Sequence, residues 1–282
     1  MKKILLACLT LALVLCLLPL QAKAATGSGT CGYNLTWTLD NSGTLTISGT
    51  GEMYGYYYTY QDDAPWMLHN IGIKTVIIED GVTTIGDGAF QRCQNLTSVT
   101  IPGSVTNIGI SAFEECDALT SVTIPDSVTT IGRDAFSSCD GLTSVSIPGS
   151  VTNISYSAFW GCTALTSVTI GQGVTTIEKY AFSSCTALEE ITIPASMFSI
   201  EDDAFKDVRL KTVRYTGPKE KWDKINLNNN GALFAADLKI VEEPTAPASC
   251  NHTGYLVVII VLSLALGASI AALFFLRRKK NA

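Results

Sequence analysis

The sequence predicts a mainly β repeat solenoid of 23-residue units, closed by capping segments and followed by one transmembrane helix. Three observations carry this. An Ala-Phe pair recurs at a fixed step of 23 residues: Ala89-Phe90, Ala112-Phe113, Ala135-Phe136, Ala158-Phe159, Ala181-Phe182 and Ala204-Phe205. A strict period in that range signals stacked short units rather than a globular enzyme core. Within each unit, apolar residues alternate with Ser and Thr, the pattern of a strand with one buried face. Near the C-terminus, residues 255–276 run without a charge, long enough to cross a bilayer.

One unit shows the order of elements. Leu119 leads into Val122 and Ile124, which alternate with Ser121 and Thr123. Pro125 ends that strand, because it has no N–H to give to a ladder. Val128 and Ile131 supply two further apolar anchors, Ala135-Phe136 turns inward, and Cys139 closes the unit. The sequence leaves open whether Ala-Phe-x-x-Cys forms one helical turn. The pattern reaches back to Ile73, Val76, Ile78, Val82 and Ile85 and forward to Leu210, Val213 and Tyr215, so it spans residues 71–216. A single unit has too few apolar positions to fold alone. Stacking sets like on like in a continuous core, with strands about 4.8 Å apart.

The motif L-x-x-V-x-I-P followed by V-x-x-I-x-x-x-A-F-x-x-C resembles the BspA-like, or treponemal-type, bacterial leucine-rich repeat. The stretch from Cys31 through Trp37, Gly43 and Ile47 to Gly51 is similar to the segment that often precedes such repeats. The resemblance covers about half of the chain. It implies a bacterial surface protein, with some family members implicated in adhesion to host proteins.

The flanks read as follows. Residues 1–24 form a signal peptide: Lys2 and Lys3, an apolar run over 4–20, then Ala22-Lys23-Ala24 at the cleavage position. Residues 25–70 form an N-terminal β cap, with a hairpin turn at Asp40-Asn41-Ser42-Gly43. Residues 217–243 cap the other end, with a short helix opening after Pro218. Residues 244–254 are a polar, Pro-containing stalk. The helix at 255–276 is followed at once by Arg277, Arg278, Lys279 and Lys280, which places the tail 277–282 in the cytoplasm. No L-P-x-T-G-like sorting motif precedes the apolar stretch, so retention in the cell membrane is expected. The chain reads as single-pass with its N-terminal domain extracellular.

Charge narrows the partners. The formal net charge is −6, from 19 basic and 25 acidic residues. Seven of the basic residues sit in the signal and the tail, while every acidic residue lies in the exported part, leaving that part at −13. Nucleic acid, which demands a basic footprint, is excluded as a partner. An extracellular protein ligand suits the surface better.

Chemistry-bearing residues are few. The only histidines, His69 and His252, have no nucleophile or carboxylate at a recognisable spacing, so no Ser/His/Asp or Cys/His constellation can be assembled. An enzyme is not expected, and no cofactor or metal is implied. Of nine cysteines, Cys93, Cys116, Cys139, Cys162 and Cys185 recur at the repeat step. A ladder of equivalent side chains points one way, which suits neither a disulfide nor a convergent metal site. Buried thiols acting as small hydrophobes are expected. Cys250, beside the membrane segment, could cross-link two chains. The acidic runs Asp62-Asp63 and Glu201-Asp202-Asp203 lack glycine-pivoted calcium spacing and read as solvated turns.

Three groups are candidate binding residues. Tyr56, Tyr57, Tyr58 and Tyr60 crowd a short N-terminal run. Tyr is favoured at recognition surfaces; Met53 and Trp66 are expected to seal the open end of the stack, while for Tyr56 to Tyr60 capping and recognition both stay open. Tyr156, Trp160 and Tyr180 break the consensus at turn positions of adjacent units. Ser98, Thr100, Ser121, Thr123, Ser144, Ser146, Ser167 and Thr169 are the outward strand residues. They form either an interaction face or a set of good strand formers with no further role. The function that follows is non-catalytic protein binding or adhesion by a membrane-anchored surface protein. The alternative is a structural or sensory ectodomain acting through a membrane partner.

Overall fold

The computed structural model describes residues 25–56, 63–228 and 230–241. The expected signal peptide, stalk, apolar segment and tail lie outside the described residues. Among the described residues no helix is long and apolar enough to cross a membrane.

The chain enters through an antiparallel meander of β1 (Ala25–Thr30), β2 (Leu35–Asp40) and β3 (Thr44–Gly49). Asp40 shapes the β2–β3 turn: its Oδ1 accepts the N–H groups of Ser42 (2.8 Å) and Thr44 (2.9 Å). β3 then converts the sheet to parallel pairing with Thr75–Ile78, which pairs with Ser98–Thr100. After a single bridge between Ser121 and Ser144, the ladder resumes through Ser144–Ile147, Ser167–Ile170, Glu190–Ile193, Thr212–Tyr215 and Asp237–Ile240. The register sets like on like: Val145 lies opposite Val168 and Ser144 opposite Ser167. A second parallel side carries Val82–Ile85, Asn107–Ile108 and Thr130–Ile131, and further on Asn153–Ile154, Thr176–Ile177 and Ser199–Ile200. Between the two sides Pro102, Pro125, Pro148 and Pro194 end their strands. Each carbonyl accepts the N–H three residues on, at 3.0–3.2 Å.

The Ala-Phe segment forms the third side, and it is not a helical turn. Two residues per coil are left-handed: the one before Ala (Ser111, φ 51; Asp134, φ 55; Ser157, φ 52) and the second after Phe (Glu115, φ 58; Ser138, φ 55; Ser184, φ 61). This turns the peptide groups between coils. Phe113 N–H donates to Ala135 O, Phe136 N–H to Ala158 O, and Phe159 N–H to Ala181 O, at 2.8–2.9 Å. Hydrogen bonds thus tie coils together on all three sides, satisfying backbone groups that a buried turn would otherwise orphan. Side-chain hydroxyls add to this. Ser104, Ser127 and Ser196 donate to the carbonyls of Val82, Val105 and Val174 at 2.7–2.8 Å. Thr143 and Thr166 donate to Thr120 O and Thr143 O at 3.2 and 3.0 Å.

The interior is a single file of aromatic rings. Trp66, Phe90, Phe113, Phe136, Phe159, Phe182 and Phe205 stack in order with centroids 5.2–5.7 Å apart. The five repeating cysteines are free and buried beside this file. The Sγ of Cys116, Cys139, Cys162 and Cys185 each donate to a Phe carbonyl of the preceding coil at 3.1–3.2 Å. Burial pushes the Cys93 thiol up to about 12 and carries Cys116 and Cys139 well above their ordinary value.

Both ends are closed by substitution of one group for a missing coil. At the top Trp66 takes the place of a Phe, and its Nε1 donates to Ala89 O at 2.8 Å. Trp37 packs edge-on against it at 5.8 Å. The Trp37 indole requires glycine at position 29 of β1, where an added Cβ would lie 2.8 Å from Nε1. At the bottom Asn230 is buried, and its Oδ1 accepts the Phe205 N–H at 3.2 Å where the next coil's Ala carbonyl would stand. Its Nδ2 donates to Glu201 O (2.8 Å) and Leu227 O (2.7 Å). A short helix, Lys219–Trp222, follows Pro218, and Trp222 meets Tyr215 edge-on at 5.2 Å.

Candidate interaction surfaces

The strand side is built by the two-residue period. Val and Ile point into the core, so Ser98, Thr100, Ser121, Thr123, Ser144, Ser146 and Thr169 are exposed and Ser167 is half-buried. Their hydroxyls carry no hydrogen bond to another described residue, unlike those of Thr143 and Thr166, which clamp onto the coil above. The face becomes charged toward the C-terminal end, where Glu190 pairs with Arg214 and Glu189 with Lys211 (2.6 Å).

The turn side carries the second candidate set. Tyr156, Trp160 and Tyr180 come together around one open groove of about 450 Å³, with Ser183, Ser184, Lys206 and Asp207 among its lining. Tyr156 and Tyr180 meet edge-to-face at 5.6 Å. Arg133 lies over the Tyr156 ring at 4.5 Å and Lys179 over the Tyr180 ring at 4.9 Å. The Glu178 carboxylate accepts the Tyr156 N–H at 2.9 Å, which fixes that loop. Trp160 is 42% exposed. At the equivalent position the flanking coils have Ser137 and Ser183, both small and buried, so the indole stands clear.

Tyr180 has φ 62, the left-handed conformation that the fold imposes just before every Ala. The other coils place Gly88, Ser111, Asp134, Ser157 and Asp203 there. A bulky side chain in this region is strained by about 1–2 kcal/mol.

The N-terminal aromatic run divides. Tyr56 is half-buried in the cap, edge-on to Trp66 at 5.8 Å, with its hydroxyl donating to Cys31 O at 3.5 Å. Burial raises its phenol well above the usual range. Tyr57, Tyr58 and Tyr60 lie outside the described residues. Met53 and Trp66 are buried.

Sequence reasoning did not single out Lys206, Asp207, Ser183 or Ser184 as groove residues, nor Arg133 and Lys179 as cations over the tyrosines. Aligning the coils at the 23-residue step places all of them within two coils of Trp160. Nor did it find Tyr33, 94% exposed and edge-on to Tyr54 at 6.0 Å. Of the acidic runs, Glu201 accepts the Lys179 N–H (3.0 Å) and Asp203 faces the Lys179 ammonium (3.8 Å). Among the described residues no group of three His, Cys, Asp or Glu is placed to hold a metal ion.

The profile of the BspA type leucine rich repeat region matches six copies, within residues 66–121 and 106–230. Solved structures that are similar include a leucine-rich repeat protein from Bacteroides ovatus, 25% identical over 65% of this chain with a TM-score of 0.44. This chain spans 59% of the length of that protein. The leucine rich repeat protein of T. pallidum is 23% identical, covering 74% of this chain and 100% of that one, with a TM-score of 0.47. A leucine rich cell surface protein from Faecalibacterium prausnitzii is 20% identical, covering 73% of this chain and 99% of that one, with a TM-score of 0.35. No curated protein matches the chain.

Proposed function

The chain belongs to the BspA-type leucine-rich-repeat family, and from that premise we propose that it is a membrane-anchored cell-surface protein that binds an extracellular protein ligand without catalysis. The observation that carries this reading is the Tyr156, Trp160 and Tyr180 cluster. None of the other coils places an aromatic at these positions, whereas here an exposed Trp160 and two half-buried tyrosines line one groove together, one of them at a strained backbone position. Aromatic anchors beside charged rim residues are the composition of protein-binding hot spots. The row of free hydroxyls on the strand side offers a second, flatter contact area. The N-terminal signal, the apolar stretch 255–276 and the basic tail support export with retention in the membrane, the repeats facing outward. Adhesion to another cell is the role that fits such a placement.

The test is adhesion of cells that display the full chain, measured against host and neighbouring bacterial cells. Trp160→Ala should reduce adhesion at least about tenfold, the range of a hot-spot truncation, without changing display level. Unchanged adhesion in Trp160→Ala and in a Tyr156→Ala, Tyr180→Asn double variant would refute the assignment of this cluster.

A further inference from the structure

The terminal strand Asp237–Ile240 is the last member of its sheet. It pairs parallel with Thr212–Tyr215 in unbroken register, Asp237 opposite Thr212 and Ile240 opposite Tyr215. The Asp237 N–H donates inward to Lys211 O at 2.9 Å, and the Val241 N–H donates inward to Tyr215 O at 2.8 Å. Backbone groups of alternate strand residues point to opposite sides. Leu238 and Ile240 therefore hold their N–H and C=O groups on the outer edge, where they have no partner among the described residues. Such an edge is a template for another strand. Other proteins blunt it with Pro or a bulge; this strand has neither. Lys239 is the one blunting residue, and Asp237 sits two positions away on the same face.

The side chains repeat a self-complementary order. Asp237 and Lys239 are exposed on one face, while Ala236, Leu238 and Ile240 are half-buried on the other, packed against the core. Beside Leu238 runs an open apolar groove of about 440 Å³, lined by Ile225, Leu227, Leu233 and Phe234. Phe234 is 66% exposed.

We propose that this edge pairs antiparallel with the same strand of a second copy, about a two-fold axis at Leu238. That register uses the outward groups: Leu238 faces Leu238 of the second copy and exchanges both hydrogen bonds with it, as antiparallel pairs do. It sets Asp237 against Lys239 of the second copy, and Lys239 against its Asp237. Ile240 meets Ala236 of the second copy. The two apolar grooves then lie on one face of a continuous sheet, bringing both exposed Phe234 side chains to the same side. Centring on Lys239 would still pair Leu238 with Ile240 through their outward groups, but it sets Lys239 against Lys239 of the second copy and leaves Asp237 opposite Val241, so it replaces two charge pairs with a like-charge contact. Centring on Ile240 leaves Lys239 opposite Val241 and gives up both charge pairs. The interface is isologous and closes on itself, so it yields a dimer rather than a fibre. It leaves the aromatic cluster of the turn side unoccupied and is independent of any ligand bound there.

The experiment is light scattering of the full chain in detergent micelles over a concentration series, with circular dichroism as the folding check. The wild type should be dimeric. Asp237→Lys alone and Lys239→Asp alone each place like charges opposite one another and should weaken self-association by at least about tenfold. The double variant Asp237→Lys, Lys239→Asp restores both pairs and should dimerise again. Mixing the two single variants should produce a heterodimer, because their charges complement each other. A wild type that stays monomeric throughout the series overturns the proposal. So do single variants that associate as the wild type does, or a mixture that fails to pair.

Discussion

Phe136→Ala is the sharpest probe of the stack. Phe136 is fully buried, with Phe113 5.2 Å above and Phe159 5.3 Å below, the planes within 6° and 3° of parallel. Removing the ring forfeits about 2–3 kcal/mol of transfer free energy. It also leaves a cavity between two rings that cannot close, since hydrogen bonds on all three sides hold the coils at their spacing. The expected total is about 3–5 kcal/mol. Phe205→Ala provides the internal control. Among the described residues Phe205 stacks on one ring, Phe182 at 5.5 Å, so its loss opens a stack contact on one side instead of two and should fall toward 2–3 kcal/mol. Urea unfolding of the full chain in detergent, followed by tryptophan fluorescence, reads both; of the four tryptophans, Trp66 and Trp222 stand at opposite ends of the stack, and a background with Trp37→Phe and Trp160→Phe leaves these two as the reporters. In a solenoid, neighbours hold each other through adjacent interfaces, so a mid-stack cavity should also part the two tryptophan transitions. A Phe136→Ala loss below about 1 kcal/mol, or one no larger than that of Phe205→Ala, would refute the single-file account.

Two other expectations concern pH and strain. The Cys93 thiol titrates at about 12 in the folded chain against an ordinary 9.0, so the unfolded chain loses its proton first; stability is intact below pH 9 and falls as pH rises toward 12, by about 1.4 kcal/mol per pH unit for each such thiol. Melting temperature measured from pH 8 to 11 should fall steeply, and Cys93→Ala should flatten the slope; a pH-independent melt would contradict the buried thiol ladder. Tyr180→Asn should leave stability within about 1 kcal/mol of wild type, since relief of left-handed strain offsets the lost edge contact with Tyr156; a loss above about 2 kcal/mol in urea unfolding would make Tyr180 a structural residue instead.

The architecture was legible because the residues that carry it recur. Val145 over Val168, Phe113 over Phe136 and the buried cysteines follow directly from the 23-residue step, since a period fixes what stacks on what. The Pro turns could be read for the same reason: Pro125 has one thing it cannot do in a ladder. The third side could not be read. Ser111, Asp134 and Ser157 look like ordinary polar turn residues, and only their backbone angles show that the fold demands a left-handed residue there. Met53 and Trp66 could be read as sealing the first coil, and both are buried there; the Asn230 cap at the other end could not, because it works by mimicry. Asn230 supplies one side-chain oxygen in place of a carbonyl, which leaves no pattern in a single chain.

The same distinction explains what could be read of the surface. A repeat scaffold supplies a default residue at each position, so departures from it are the available signal. Trp160 departs from Ser137 and Ser183, and Tyr156 from Ile110 and Lys179, which is why both stood out before any coordinates. Tyr180 stood out as an aromatic, but its energetic meaning lay in the backbone. Every coil must take the left-handed turn to aim its peptide groups at the next coil, so the strain cannot be relaxed locally by moving the chain. It is removed only by a residue that tolerates the conformation, as Gly88 and Asp134 do. Tyr at that position carries a backbone strain that Asn would not, and its ring is held over the groove by Lys179 and Tyr156. A side chain at odds with the preference of its own backbone, on a face the core does not use, is what the proposed ligand contact would account for.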